Sequence, residues 1–262
     1  MKVQDFYSIS VNSDCPWPHR MLMEFVVQTG STNEDLKQYL KKTTISRVFG
    51  RVALRQTSGR GTRGRLWKSD LGGIYFSLAI PCQEFKAKLS VISLAIGFGV
   101  VLGLRNRGVE AGLKWPNDIW FNAGKAGGVL CELVRDKDGH RVVVIGIGIN
   151  LNSQPEITTH GWPIRGIDIG EKFCTPESRT SLLSSIVNCV LDVISMDDKK
   201  IINSWNSVDF FKDQTIIFSY EHQRIVGRAM GIDEYGRLLL CVDNQIKKFS
   251  SGSIISYDNS FD

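Results

Sequence analysis

No two of the six cysteines, Cys15, Cys82, Cys131, Cys174, Cys189 and Cys241, lie at C-x-x-C spacing, and none has a histidine at metal-ligand spacing. That pattern excludes a zinc ribbon and leaves reduced, structural thiols as the expectation. Histidine is scarce as well. His19, His140, His160 and His222 are scattered, so neither a Cys/His nor a Ser/His nucleophilic pair is visible. Blocks of like charge are missing, because 32 basic and 27 acidic residues leave a net charge of only +5 spread along the chain. A general nucleic-acid tail is not expected, and an anion site would have to come from a local cluster. The uncharged run from Leu89 to Leu104 stops short of the roughly 20 residues that a bilayer requires and is interrupted by Gly97, Gly99 and Gly103. It reads as a buried helix, not a membrane span. Met1 to Arg20 lacks the apolar core of a signal peptide, and a cytoplasmic protein is expected.

What the sequence does have is Gly59-Arg60-Gly61-Thr62-Arg63-Gly64-Arg65-Leu66-Trp67, three glycines and three arginines closed by a tryptophan. Glycine lets backbone N–H groups approach an oxyanion, arginine supplies planar multi-donor cations, and an indole offers a flat face to a ring. The spacing also satisfies the dinucleotide fingerprint G-x-G-x-x-G, but its context fails. That motif needs a helix opening at its third glycine, whereas Gly73 to Pro81 comes next as a strand rich in Ile, Tyr and Phe.

Length and a hydrophobic content of 42% over 262 residues suit one sizeable core with a small second one. Strands are expected at Leu22–Thr29, Arg47–Gln56, Gly73–Pro81, Lys125–Val134 and Arg141–Asn150, with Gly112–Phe121 broken at Pro116-Asn117-Asp118. Helices are expected at Glu34–Lys42, Lys86–Arg107, Leu182–Ile194 and Lys200–Phe211, and Ser153 to Ser178 reads as a long connection. From residue 212 the pattern changes to short strands, Thr215–Ser219, Arg224–Ile232, Arg237–Val242 and Lys247–Phe249, a small barrel-like tail.

Three polar clusters fall at strand ends: the Gly/Arg loop, Lys114-Trp115-Pro116-Asn117-Asp118, and Gly124-Lys125-Ala126-Gly127-Gly128. Each alone could be a solvated turn, and Ser31-Thr32-Asn33 could be a helix cap. Together, Arg60, Arg63, Arg65, Lys114 and Lys125 offer a convergent anionic site with tryptophans beside the charges, suited to a phosphate-bearing aromatic compound.

The order Ser31-Thr32-Asn33, Gln56-x-x-Gly59-Arg60-Gly61-x-Arg63-Gly64-Arg65-x-Trp67, Lys114-Trp115-Pro116-Asn117-Asp118, Lys125-x-Gly127-Gly128-Val129-Leu130-x-Glu132 and Gly146-Ile147-Gly148-Ile149-Asn150 resembles the biotin protein ligases. The resemblance covers residues 22 to 152, and the tail is similar to that family's SH3-like domain, including its Gly231-Ile232-Asp233-x-x-Gly236 turn. It implies an α+β fold: a class II synthetase-like mixed sheet flanked by helices over residues 1–211, then an SH3-like β-barrel over 212–262. It also implies a two-step reaction that needs no enzyme nucleophile. Biotin is activated by ATP with magnesium to biotinyl-adenylate, then passed to a lysine of a biotin carboxyl carrier domain.

By that resemblance Lys125, Arg60 and Asp118 are the expected catalytic residues, with Asp118 orienting or deprotonating the incoming amine. Ser31, Thr32, Asn33, Gln56, Gly59, Arg60, Gly61, Thr62 and Lys125 are expected at biotin, and Arg63, Arg65, Trp67, Lys114, Asn117 and Asn150 at ATP or the adenylate. Magnesium is expected to be held through ATP near Asn117, with no direct protein cage. Many members have arginine at the position of Thr62, and a glutamate at that of Ser253. Residues 1–21 are too few for the DNA-binding helical domain of some relatives, so no nucleic-acid or membrane partner is expected; homodimerisation through the sheet is common in the family this chain resembles but is not readable from its residues. A lipoate or octanoate ligase or transferase shares the fold and lysine chemistry; a nucleic-acid-binding module using the arginines and the small barrel is the non-enzymatic alternative.

Overall fold

Alternating residues in Met21–Thr29 make strand β1, and the turn at Gly30 leads into helix α1 (Thr32–Leu40). The computed structural model describes residues 2, 5, 21–151, 162–167 and 172–257. Cys15, His19, His160 and much of the expected connection from Ser153 lie outside the described residues. Strand β2 (Val48–Gln56) runs parallel to β1, and β3 (Ile74–Pro81) lies antiparallel to β2. After helix α2 (Ile92–Arg105) come β4 (Gly112–Lys114), β5 (Asp118–Phe121), β6 (Gly124–Arg135) and β7 (Arg141–Ile149). The sheet order is β1-β2-β3-β7-β6-β5-β4, a mixed sheet with β3 and β7 at its centre. All eight residues of β3 are buried, as a strand covered on both faces must be.

Helices α2, α3 (Pro176–Val193) and α4 (Asp198–Asn206) keep the expected order but not the expected ends. Helix α2 starts at Ile92, not Lys86, because the backbone N–H groups of Lys86 and Lys88 bond Ile194 and Asp198 instead of an α2 turn. Helix α3 starts at Pro176, six residues before Leu182. Thr175 caps it by accepting from Ser178 N, with proline at the first turn. Helix α4 stops at Asn206 because β4 captures the residues just beyond it: Leu113 N bonds Val208 O, and Phe210 N bonds Leu113 O.

The tail forms an antiparallel sheet of β8 (Thr215–Tyr220), β9 (Gln223–Ile232), β10 (Leu238–Val242), β11 (Gln245–Phe249) and β12 (Ser253–Tyr257), in the order β11-β10-β9-β8-β12. Strand β12 is an addition to the expected set; it closes on β8 across the sheet, a long-range pairing that its serine-rich sequence does not announce. Two-residue turns with positive φ at Glu221-His222 and Asp243-Asn244 match the twist of the hairpins they join. The fold is thus the expected one, a mixed sheet flanked by helices and followed by a small β unit.

One continuous core joins sheet, α2, α3 and tail, with Trp120, Trp162, Phe211 and Tyr257 packed edge to face or stacked at the junction. A smaller core under α1 covers the other face with Leu36, Leu40, Phe49 and Val144. The indole N–H of Trp115 donates to Gly236 O (3.1 Å) and that of Trp162 to Ile254 O (3.1 Å), so the tail is held by directed bonds as well as by burial. Among the described residues no helix is long and apolar enough to cross a membrane.

Asp209 sits at this junction. Its Oδ1 accepts from Phe211 N (3.0 Å), while Oδ2 is buried without a partner among the described residues. Burial pushes the carboxyl up to about 7, against the pull of the Phe211 N–H. An unfolded aspartate titrates near about 3.9, so stability present below that pH is lost as pH rises through the folded value. Asp209→Asn keeps the acceptor for Phe211 and is expected to be more stable than wild type at pH 8, with the advantage shrinking toward pH 4. Urea midpoints at the two pH values check this; an advantage independent of pH would count against it.

Candidate active site

Strand β2 ends at Gln56, and the chain then makes a tight hairpin of its own. Trp67 N donates to Gly59 O (2.9 Å) and Gly61 N to Arg65 O (2.8 Å), with Arg60 bridged to Leu66. The turn is made by Arg63 and Gly64 at φ 58 and 72. Thr62 keeps its polar groups inside the hairpin, accepting from Arg65 Nε on its carbonyl (3.3 Å) and from Arg65 Nη2 on its hydroxyl (3.4 Å). Gly64 opens no helix, so the dinucleotide reading fails in three dimensions as it does in the sequence.

The hairpin roofs a cleft of about 700 Å³ whose floor is the sheet at Gly146–Gly148 and Gly128–Leu130. Trp67 packs against Gly148; a Cβ there would stand 2.5 Å from Trp67 Nε1. The indole N–H is buried without a partner among the described residues. One end of the cleft is polar. Gln56 Oε1 accepts from Thr32 N (2.9 Å), and Gln56 Nε2 donates to Ser69 Oγ (2.8 Å), which in turn donates to Trp67 O (3.2 Å). Ser31 is extended and takes the N-cap position, but its side chain does not cap α1; Ser31, Thr32 and Asn33 all face the cleft.

At the other end stands a charge cluster. Lys125 Nζ lies 2.6 Å from Asp118 Oδ1 and 5.3 Å from the centre of the Trp67 ring. Lys114 Nζ lies 3.2 Å from Asp118 Oδ2, over the rings of Trp120 and Trp162. Burial pushes the Asp118 carboxyl up, but the two ammonium groups outweigh it and hold it below the usual carboxylate range. Burial also lowers Lys114, and Asp118 only partly restores it. Two cations share one anion, and Arg65 stands close enough to depress Lys114 further. The cluster therefore carries an unbalanced positive charge, which a bound anion would compensate. It opens onto a second cleft of about 1080 Å³, bounded by Arg63, Lys114, Asn117 and, from the tail, Gly252 to Ile254.

Residues 25–150 match the model of the biotin/lipoate A/B protein ligase family, and residues 213–256 that of the biotin protein ligase C-terminal domain. The chain is 32% identical over 246 residues to a biotin--[acetyl-CoA-carboxylase] ligase of Mycobacterium tuberculosis, covering 89% of this chain and 88% of that protein. The chain belongs to the biotin protein ligase family. It is also 32% identical over 217 residues to the bifunctional ligase/repressor BirA of Bacillus subtilis, covering 78% of this chain but only 64% of that relative's length. A biotin protein ligase from Aquifex aeolicus, solved in complex with biotin and ATP, superposes with a TM-score of 0.71 at 28% identity, covering 90% of this chain and 97% of that one.

Within this biotin protein ligase fold, Ser31, Thr32, Asn33, Gln56, Arg60, Gly61, Thr62, Arg65, Trp67, Asn117 and Lys125 come together on the first cleft. Arg63, Lys114 and Asp118 fall on the second, which also shares Thr62, Arg65, Asn117 and Lys125. Gly59 lines neither; it gives the room in which Trp67 O and Gln56 pack. Asn150, expected at the nucleotide, also lines neither. Its N–H bonds Ala126 O, its carbonyl accepts from Ile167, and it is buried beneath the sheet's end. Ser77 is absent from the expected set, although a serine inside the largely apolar run of β3 was the available signal. Arg63 Nη2 reaches Gly252 O (3.4 Å), so the tail meets the Gly/Arg hairpin through backbone, with Ser253 alongside.

Because the folded Asp118 titrates below its unfolded value, its contribution is complete above about pH 4 and is lost as acid carries the pH through the folded value. Asp118→Asn leaves two lysines without their counter-charge and is expected to lose about 3 kcal/mol at neutral pH. The loss should shrink under acid, because wild type then forfeits the same interaction. Urea denaturation at pH 7 and pH 3 is the check; equal stability of variant and wild type at pH 7 would reject it.

Proposed function

We propose that this chain attaches biotin to a carrier protein in two steps. In the first, a biotin carboxylate oxygen attacks the α-phosphorus of ATP, the bond to the β-phosphate oxygen breaks, and pyrophosphate leaves. In the second, a carrier lysine amine attacks the acyl carbon of biotinyl-adenylate, an amide forms, and AMP departs with the proton lost to solvent or a nearby base. The observation that carries this reading is the joining of a polar-ended apolar cleft to a cationic cleft through Lys125, which lines both.

The polar end distinguishes the two ligand classes of the family. Gln56 is turned so that its amide nitrogen still has a hydrogen to donate, and the hydroxyl of Thr32 stands beside it. A cyclic urea has N–H and C=O groups to match them. A dithiolane has neither and would leave the remaining Gln56 amide hydrogen without a partner, which is the stronger form of discrimination. The Aquifex ligase seen with biotin and ATP supports the same assignment, and the name of the Mycobacterium relative points to an acetyl-CoA carboxylase as the carrier's source.

The roles in this reading follow the family resemblance, and position supports several of them. Lys125 lines both clefts, and in this reading the carboxylate and α-phosphate meet beside it, where its charge offsets the repulsion of two anions. Arg60 and Arg65 act on the same anions from the hairpin, Arg63 and Lys114 on the phosphates in the second cleft, and Trp67 covers the base. Asp118 serves as an orienting group, not as a base, since both its oxygens are engaged by lysines and its carboxyl is held acidic. Among the described residues no three His, Cys, Asp or Glu side chains could cage a metal. Magnesium would be held through the triphosphate, where it would neutralise phosphate charge, with Asn117 beside it. The Thr62–Arg65 bonds give this hairpin an internal tie.

Biotin-dependent exchange of labelled pyrophosphate into ATP is expected for the wild type, with kcat reduced by about 10²–10³ in Lys125→Ala. Exchange supported by lipoate but not biotin would reject the substrate. A nucleic-acid module would instead show steep salt-dependent binding to DNA or RNA and no exchange.

A further inference from the structure

The two clefts place five cations, Arg60, Arg63, Arg65, Lys114 and Lys125, around Asp118, the only carboxylate that lines either cleft among the described residues. In the proposed first step the triphosphate brings anions to meet them. In the second step most of that negative charge is gone, because pyrophosphate has left and only one adenylate phosphate and Asp118 remain. The site then holds surplus positive charge, and the proton that costs least to lose leaves. The guanidinium groups keep theirs. Of the two lysines, Lys125 has the better claim on the carboxylate, at 2.6 Å against 3.2 Å for Lys114, and its side chain is the more accessible, 16% against 8%.

The surroundings of Lys114 favour its uncharged form. Its ammonium has three N–H donors, and Asp118 Oδ2 is the only hydrogen-bond acceptor it meets among the described residues. The rings of Trp120 and Trp162, 5.5 and 5.7 Å away, attract a cation but do not replace its lost water. Burial, the largest cause, and the neighbouring Lys125 and Arg65 all favour the amine, while Asp118 opposes them. Arg63 adds charge of the same sign in the second cleft. A carrier lysine titrates near about 10.4 and enters as an ammonium at neutral pH, so the transfer step needs a base. Asp118 is a poor one, with both oxygens on lysines and its carboxyl held acidic.

We propose that Lys114 is the catalytic base of the transfer step, taking the first proton from the carrier's lysine ammonium. The inference rests on the proposed biotin ligase function and adds the group that frees the attacking lone pair. With ATP bound, Lys114 is an ammonium on the phosphates. Once pyrophosphate departs it sheds a proton to water, and as an amine it accepts one from the carrier ammonium. The freed lone pair bonds to the acyl carbon, the bond from that carbon to the phosphate oxygen breaks, and AMP leaves with the electron pair. The second proton of the nitrogen goes to water. Lys114 ends the cycle charged, as the next ATP requires. Buried lysines serve as general bases for this reason.

The experiment loads the full chain, in excess, with preformed biotinyl-adenylate and measures single-turnover transfer to two acceptors, a saturating biotin carboxyl carrier domain and hydroxylamine. Hydroxylamine is a free base at neutral pH and has no first proton to lose. Lys114→Arg keeps the charge but cannot give up a proton. Whatever it costs toward hydroxylamine, its loss toward the carrier should be about 10²–10³-fold greater. The carrier rate of the wild type should level off with rising pH well before a free lysine ionises near about 10, whereas that of Lys114→Arg should climb until then. Lys114→Met drops charge and base together, and should show the same excess carrier defect and lose pyrophosphate exchange as well. Equal losses toward both acceptors would overturn the proposal, since an electrostatic or structural role acts on both alike. So would carrier transfer at the wild-type rate in either variant, or a wild-type rate that follows the pH course expected of Lys114→Arg. A wild type that passes biotinyl-adenylate to neither acceptor and shows no biotin-dependent exchange would overturn the functional reading itself.

Discussion

Two ammonium groups share one carboxylate at the centre of this molecule. Lys125 and Lys114 approach Asp118 from opposite oxygens, at 2.6 and 3.2 Å, in a place where all three are largely out of water. Removing such charges from solvent is costly, and one carboxylate cannot balance two lysines. The arrangement persists because rings of Trp67, Trp120 and Trp162 lie under the ammonium groups, and because the surrounding core is built at the same junction. What results is an electrostatic deficit aimed at the point where the two clefts meet. An anion entering there completes the cluster, and the catalytic reading depends on this deficit.

The remaining site elements serve two purposes around that point. On one side, the Gly/Arg hairpin is tied by its own ladder and by Gln56 and Ser69, so the roof of the cleft and its polar end are mechanically one unit. On the other, the tail contributes backbone from Gly252 to Ile254 and is fixed by the indoles of Trp115 and Trp162. Trp115 adjoins the Lys114 and Asp118 strands, so docking of the tail and placement of the charge cluster use the same segment. The shared core makes the small β unit part of the site's support, not an appendage to it.

Much of this could be read in the chain. Glycine spacing and arginine density singled out the loop that folds as a hairpin over the cleft, and the proline-asparagine turn at Pro116-Asn117 correctly split Gly112–Phe121 into two strands. The strands β2, β3, β6 and β7 were legible because apolar β-branched runs bounded by turn residues have few other solutions. Helix ends were less so. Lys86 to Val91 has helical composition, but its donors are claimed by Ile194 and Asp198, and the chain around Asp209 is captured by β4. Those are contacts between segments a hundred residues apart, which no local pattern encodes. Asn150 shows the same limit at the site: adjacent to Gly146 and Gly148 in sequence, it lies past the last sheet residue and turns its backbone to Ala126 and Ile167.

By itself, then, the sequence determined which chemistry was available: loop glycines, five cations near strand ends, no nucleophile pair, and an ordered set of motifs resembling one family. These are properties of residue type and local spacing, and they survive without coordinates. Only the tertiary structure decided which groups face one another. It paired Lys125 with Lys114 on Asp118, set Trp67 against Gly148, and brought Ser77 between Thr32 and Asn33. Hydrogen-bond partners and charge balance depend on distances of a few ångströms between segments remote in sequence. Those distances are set by sheet register and core packing, which belong to the whole chain and to no motif within it.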